Sequence, residues 1–213
     1  MKSFLDDIRK PKKSDIMAKQ IIHSLLILSA GLILGAVSKH LDYVPSNELP
    51  YLIEVLDLRN FFSRLAIWIL LAVILSVYSK TPVRASINTF LFFVGVLVSY
   101  YTYTILIAGF FPKSYILIWF GFTLLSPFLA FICWYAKGEG KASLMISAII
   151  IGVLFLQAFS FGFFYFGVRI YLEVVVWLIA VFVLYKTPGQ LAAMLGISLA
   201  VAITLKMILP FGL

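Results

Sequence analysis

Seven apolar runs, read as 21–37, 62–77, 87–110, 114–134, 144–166, 170–184 and 191–209, take up most of this chain. A helix needs about 20 apolar residues to cross the hydrocarbon of a bilayer. Backbone polar groups inside lipid must also be satisfied within the segment itself, which a helix does. With 63% hydrophobic and 12% charged residues, the chain carries more apolar surface than a soluble core of its length hides. The expected fold class is an all-α polytopic membrane helical bundle of about seven transmembrane helices, one leading helix plus three hairpins. Residues 1–20 read as a basic cytoplasmic N-terminal arm and 21–213 as a single transmembrane domain.

The hairpins are expected from a short basic turn that recurs between the runs. Tyr78-Ser79-Lys80-Thr81-Pro82-Val83-Arg84-Ala85-Ser86 and Tyr135-Ala136-Lys137-Gly138-Glu139-Gly140-Lys141-Ala142-Ser143 share Tyr, Lys, a second cation, Ala and Ser at identical spacing. Tyr185-Lys186-Thr187-Pro188 repeats the Lys-Thr-Pro of the first copy. Interfacial Tyr, orienting Lys and turn-forming Pro or Gly suit any cytoplasmic hairpin tip. The exact spacing of the first two copies also fits a duplication or a shared partner-docking role.

Cation placement gives the orientation. Lys2, Arg9, Lys10, Lys12, Lys13, Lys19, Lys80, Arg84, Lys137, Lys141 and Lys186 fall on the N-terminal side, and the other six cations, Lys39, Arg59, Arg64, Lys113, Arg169 and Lys206, fall opposite. The positive-inside rule then puts the N-terminus in the cytoplasm and the C-terminus outside. Compactness and span density suggest a bacterial plasma membrane. The same placement accounts for the net charge of +8 without nucleic acid, for which no motif is present.

Outside the spans, two segments carry local signals. Phe4, Leu5 and Ile8 fall on one side of a helical turn, so the arm is either a short interfacial helix or a solvated basic tail. Ser14 or Asp15 is expected to cap the first span. An uncleaved first span is favoured over a signal peptide ending near Ala36-Val37-Ser38, because six further runs follow. In the first external loop, Leu49, Leu52, Ile53 and Leu56 recur at helical spacing, which predicts a short interfacial helix over 48–58.

Packing signals are common ones. Gly31 and Gly35 let another helix approach closely, and Ala192, Gly196 and Ala200 mark a small-residue face suited to the bundle interior or to another protein. Pro127 predicts a kink in the fourth span. Cys133, the single cysteine, reads as a small buried hydrophobe. The aromatic stretch Phe159–Gly167 reads as an outer aromatic belt, with Gly162 admitting a neighbouring helix.

Signatures of intramembrane catalysis are missing. The two histidines, His23 and His40, lie near opposite ends of the first span, and no H-E-x-x-H, G-x-S-x-G, Walker or dinucleotide glycine pattern occurs. No catalytic residue, metal ligand or cofactor is therefore expected, and the chain does not read as an enzyme. Of the carboxylates, only Glu173 lies inside an apolar run. An ionisable group there needs a partner, for which Lys206 and Arg169 are the candidates. Arg59 and Arg64 would join them as a charged rim, and Ser99, Thr102, Tyr103 and Gln157 supply polar groups at comparable depth. These eight residues, Arg59, Arg64, Ser99, Thr102, Tyr103, Gln157, Glu173 and Lys206, form the expected ligand-binding set, in the outward-facing half.

Three functional readings follow. The leading one is a transport-class membrane protein that binds or carries a small solute through that outward half. In size, hydrophobicity, small-residue faces and outer polar cluster the chain resembles the substrate-binding subunits of bacterial energy-coupling-factor transporters, although that family has six spans and no residue roles carry over. The alternative is a non-catalytic membrane partner, an assembly, immunity or regulatory subunit, docking on a protein or a second copy of itself through Lys80, Arg84, Lys137, Lys141 and Lys186. Third comes a lipid-modifying enzyme using Arg59, Arg64 and Glu173 around a phosphate headgroup. The lipid bilayer is a partner in every reading.

Overall fold

Long runs of Leu, Ile, Val, Phe and Ala with few breakers favour continuous helix, and the computed structural model, which describes residues 4–110, 112–162 and 164–208, is built almost wholly from helices. Lys2, Phe163 and Leu209, which enter the expectations above, lie outside the described residues. In chain order the elements are α1 (Phe4–Ile8), α2 (Met17–Tyr43), α3 (Tyr51–Val55), α4 (Leu58–Ser63), α5 (Leu65–Val77), α6 (Pro82–Leu106), α7 (Lys113–Trp134) and α8 (Gly140–Ala158). They are followed by β1 (Phe159–Phe161), β2 (Phe166–Val168), α9 (Tyr171–Leu184) and α10 (Pro188–Ile208). Among the described residues, five helices are long and apolar enough to cross a membrane: α2, α6, α7, α8 and α10. The other two expected spans correspond to the shorter apolar helices α5 and α9. Many large apolar side chains on these helices point outward, Leu25, Leu26, Ile33, Leu117, Phe128, Leu178 and Phe182 among them, as in a protein whose solvent is lipid.

The chain divides into two compact units. Unit 2 draws on Lys12–Ser63 and Tyr78–Phe131, and its central feature is the pairing of α2 with α6. Three glycines set that contact. A Cβ on Gly31 would run into the Phe92 carbonyl, one on Gly35 into the Val96 carbonyl and the Ser99 hydroxyl, and one on Gly95 would lie 2.5 Å from the Leu28 carbonyl. Backbone meets backbone here, which only glycine permits. The G-x-x-x-G reading thus holds, and α6 is the partner helix. In α7, Pro127 leaves the Thr123 carbonyl without a backbone donor. Ser126 supplies one from its hydroxyl at 2.8 Å, and the Ser86 hydroxyl of α6 donates to the Pro127 carbonyl at 2.8 Å.

Unit 1 draws on the N-terminal stretch to Pro11, Arg64–Val77 and the chain from Ile132 onward. Here α8 packs against α9 and α10, and α5 against α9. Its core holds Val77, Trp134, Ile151, Leu154, Leu184 and Met194. Gly152 sits against the Ser198 carbonyl of α10, where a Cβ would lie at 2.8 Å. The Ala192, Gly196 and Ala200 stripe faces outward, and a Cβ on Gly196 would meet nothing within 4 Å. Cys133 is half-buried rather than fully enclosed.

Several expectations need correction. The fifth apolar run is not one span to 166: α8 stops at Ala158 and the chain turns into an antiparallel hairpin pairing Phe159 with Val168, Ser160 with Gly167 and Phe161 with Phe166. The aromatic residues Phe159, Phe161 and Phe166 favour a pleated strand, and Gly162 and Gly167 disfavour continuing the helix. Gly162 does not admit a neighbouring helix, because the ring beside it belongs to Tyr165 of the same hairpin. The loop helix over 48–58 is broken into α3 and α4 at Asp57, which takes a φ of 49° and accepts both bonds from Asn60 Nδ2. Neither Ser14 nor Asp15 caps α2, which starts after Ile16 without a side-chain cap. Instead the Gln20 amide reaches back to the Ser14 hydroxyl and the Asp15 carbonyl.

The basic arm holds the short helix α1 and an exposed stretch over 10–14, and it is tied down on both sides of Pro11. In unit 1, the Arg9 guanidinium donates to the carbonyls of Trp134 and Val77 and lies 4.1 Å over the Trp134 ring. The Ile8 carbonyl accepts from the Glu139 amide at 2.6 Å. In unit 2, the Lys12 amide donates to the Lys80 carbonyl at 2.9 Å.

Candidate functional site

Helix α9 opens with Tyr-Leu-Glu, so Glu173 enters one turn into an apolar helix and cannot reach water along it. Its side chain is 0% exposed. The chain is helical on both sides of Arg64 but not at it, and this interruption between α4 and α5 presents the Arg64 side chain to α9. Arg64 Nε donates to Glu173 Oε1 at 2.5 Å, a charge-assisted bond of the short, strong kind. This corrects the expected pairing of Glu173 with Lys206 or Arg169. Arg64 lies 109 residues away in sequence, and no local spacing rule could have chosen it.

The other carboxylate oxygen, Glu173 Oε2, is buried without a hydrogen-bond partner, and so is the Nε1 donor of Trp177. Positions 173 and 177 share one face of α9 at the i, i+4 spacing. Buried polar groups are almost always paired, and leaving two of them unmet, one acceptor and one donor, disfavours the site as it stands. Gln157, also buried, ends α8 in the same unit.

Aromatic rings wall this face. The Trp177 ring meets Phe155 at 5.9 Å and Phe159 at 5.6 Å, both edge-on. Phe159 stacks on Phe166 across the hairpin at 5.4 Å, and Phe155 packs on Phe159 at 4.6 Å. The hairpin is what brings Phe159, Phe161 and Phe166 to one place. Lys206 does not join the carboxylate: its ammonium lies 4.3 Å from the Phe161 ring centre and 5.4 Å from that of Tyr165, a cation on aromatic faces.

The remaining expected ligand residues belong to unit 2. Ser99 donates to the Gly95 carbonyl of its own helix and lies in the α2 seam. Thr102 is exposed, and the Tyr103 hydroxyl bonds His40 Nδ1 at 2.9 Å. Arg59 is half-buried in the first turn of α4. Sequence reasoning missed Trp177, whose position four residues after Glu173 was the available signal. It also missed the pair of Lys39 with Asp42 at 2.5 Å, where the Tyr100 hydroxyl donates to the same carboxylate oxygen.

The turn cations are largely engaged within their own units. In unit 1, Lys137 Nζ donates to the Tyr185 carbonyl at 3.1 Å, and Lys186 Nζ to the Gly138 carbonyl and, at 2.6 Å, the Ser143 hydroxyl. Burial lowers the pKa of both lysines. Lys141 is exposed. In unit 2, Lys80 pairs with Asp15 at 2.7 Å. Arg84 donates to the Gln20 carbonyl, the Ser24 hydroxyl and Asn88 Oδ1.

In comparisons with known proteins, no family model matches the chain, and no curated protein or solved structure matches it.

Proposed function

We propose that this multi-pass membrane protein binds, and carries across the bilayer, a small solute taken up at the Glu173 and Trp177 face of unit 1. The observation that carries this is the pair of buried, unpartnered polar atoms on one face of α9, an acceptor at Glu173 Oε2 and a donor at Trp177 Nε1, set among aromatic rings. A solute with an apolar body and an amine or amide end satisfies both atoms while its body lies on Phe155 and Phe159. Orienting polar groups in an apolar wall are the usual composition of a small-molecule site. The chain acts without catalysis of its own and needs no cofactor.

In this proposal the chain crosses seven times, α5 and α9 being the short crossings, in a bacterial-type plasma membrane. Its N-terminus is cytoplasmic and its C-terminus external, so the α9 face opens outward. The excess of Lys and Arg on the N-terminal side of the spans supports that orientation. A second reading, a non-catalytic partner subunit, is favoured by the exposed Ala192, Gly196 and Ala200 face of α10, where another helix could approach closely.

The test is a thermal-stability screen of detergent-purified protein against pools of small amines, amides and vitamins, with Glu173→Gln and Trp177→Phe alongside. Saturable stabilisation lost in both variants, followed by counterflow of that solute in proteoliposomes, is the expected result. A flat screen, or stabilisation kept in both variants, would overturn the reading. Cross-linking of Gly196→Cys to a second membrane protein would then favour the partner subunit.

A further inference from the structure

Unit 2 has a groove of about 410 Å³ at the end where α2 and α6 begin, lined by the segment before α2, the first turns of α2, Tyr78 to Lys80, and Arg84 and Asn88 of α6. We infer that this groove is a phosphate-binding site that holds the headgroup of an anionic phospholipid, with the acyl chains lying on α2.

Charge comes first. Lys19, Lys80 and Arg84 line the groove, opposed by one carboxylate, Asp15, so three cations face one anion. Asp15 is already held by Lys80 at 2.7 Å, with Lys19 at 3.9 Å. Arg84 is fixed in place rather than waving in solvent: Nη2 makes all of its side-chain bonds, to Gln20, Ser24 and Asn88. Its Nε and Nη1 donors have no protein partner among the described residues. Asn88 is itself buried and tied to the Ser79 hydroxyl, so the arginine rests on a rigid base. A guanidinium held this way, with donors to spare, is suited to a phosphate oxygen. Both helices also present their N-terminal, partially positive ends at this level.

The lining then selects lipid over a soluble phosphate. Ile22 and Leu26 belong to the groove, yet both are more than half exposed and lie four residues apart on the face of α2 that continues as Leu25 and Ile33 toward lipid. An ion recognised in water gains nothing from that wall. A phospholipid does, because its headgroup and its chains are joined as the basic and apolar parts of the groove are. Tyr78, exposed at the rim, has the amphipathic character of residues found at headgroup depth. Basic pockets between membrane helices are a recurring form of headgroup recognition. This inference does not depend on the solute site of unit 1.

The experiment is native mass spectrometry of the protein in a neutral detergent, titrated with phosphatidylglycerol, with phosphatidylcholine and with inorganic phosphate in separate arms. Wild type should retain phosphatidylglycerol saturably, at least tenfold better than phosphatidylcholine. Lys19→Gln with Lys80→Gln should weaken that retention about tenfold or more and leave phosphatidylcholine unchanged, since each surface cation contributes appreciably to anionic-lipid attraction. Arg84 is left intact because its bonds to α2 hold the fold. Ile22→Ser with Leu26→Ser should weaken phosphatidylglycerol without creating phosphate binding. Equal retention of the two lipids, or undiminished phosphatidylglycerol in the lysine variant, would overturn the proposal. Inorganic phosphate binding that the serine variant keeps and lipid does not compete would overturn its lipid part.

Discussion

Removing either end of the Arg64 and Glu173 pair should not cost the same. The Glu173 side chain is 0% exposed and that of Arg64 32%. Arg64→Met strands a carboxylate in the interior, and breaking a buried pair from that direction costs about 3 kcal/mol, the low end of the usual range. Glu173→Gln keeps an acceptor of the same shape for Arg64 Nε and leaves a guanidinium that reaches water. That change should cost about 1 kcal/mol, the worth of one ordinary hydrogen bond. In the double variant no charge is stranded, so it should be more stable than Arg64→Met alone by about 1 to 2 kcal/mol; with the cost of Glu173→Gln added, the coupling is about 2 to 3 kcal/mol, within the range seen for contacting residues. The assay is reversible unfolding in mixed micelles, followed by tryptophan fluorescence, over the four proteins of the cycle. Equal costs for the two single variants, or a cost for Arg64→Met below about 1 kcal/mol, would refute the claim that burial at Glu173 governs this pair.

Gly95→Leu should separate α2 from α6, since even its Cβ would lie 2.5 Å from the Leu28 carbonyl; overpacking of this kind costs about 1 to 3 kcal/mol, and loss of a disulfide engineered across the seam would report it. Arg9→Ala should destabilise unit 1 by about 2 kcal/mol, from two charge-assisted bonds and the Trp134 stack. Arg9→Lys should recover only part, because an ammonium cannot form the fork to two carbonyls, and the unfolding midpoints of the three proteins decide it. For Lys186 the sign follows from its lowered pKa, caused first by burial and then by Lys137. Between that lowered value and the ordinary 10.5 the unfolded chain binds more protons, so stability rises with pH in this window. Lys186→Met should flatten the rise in a midpoint-against-pH series.

Much of the helical architecture was legible in sequence because hydropathy reports burial in lipid directly, and the Gly31 and Gly35 pair announced its own close contact. What was not legible depended on competition between neighbours. The run 144–166 has no charged residue and only a few polar ones, so hydropathy reads it as one span. Hydropathy is blind to backbone preference, and the Phe-Ser-Phe-Gly segment takes the strand that aromatic residues favour, next to a glycine that disfavours continuing the helix. The site suffered in the same way. Glu173 stood out as the one carboxylate in an apolar run, yet its partner Arg64 was visible only as a cation at the edge of a distant run. Depth suggested Lys206, whereas the hairpin claimed Lys206 for the faces of Phe161 and Tyr165.

The repeated turn shows how far matched spacing carries. Ser86 and Ser143 occupy the same place in the two copies, and both donate to backbone carbonyls, Ser86 to Pro82 and Pro127 and Ser143 to Ala136 and Gly138. The tyrosines diverge: Tyr78 is exposed while Tyr135 is buried under the edge-on ring of Trp134. The second cations diverge as well, Arg84 bonding into α2 and Lys141 standing exposed. Spacing fixes which residues face inward at a helix start, hence the shared serine role. What those residues meet depends on the neighbouring segment, which for the first copy is the start of α2 and for the second is Ile8, Arg9 and Lys186. Two similar turns therefore give one unit an open basic groove and the other a closed web of lysine-to-carbonyl bonds. If groove and web exchanged on swapping 78–86 with 135–143, turn sequence rather than neighbourhood would be the cause; we expect instead that neither forms properly and both units lose stability.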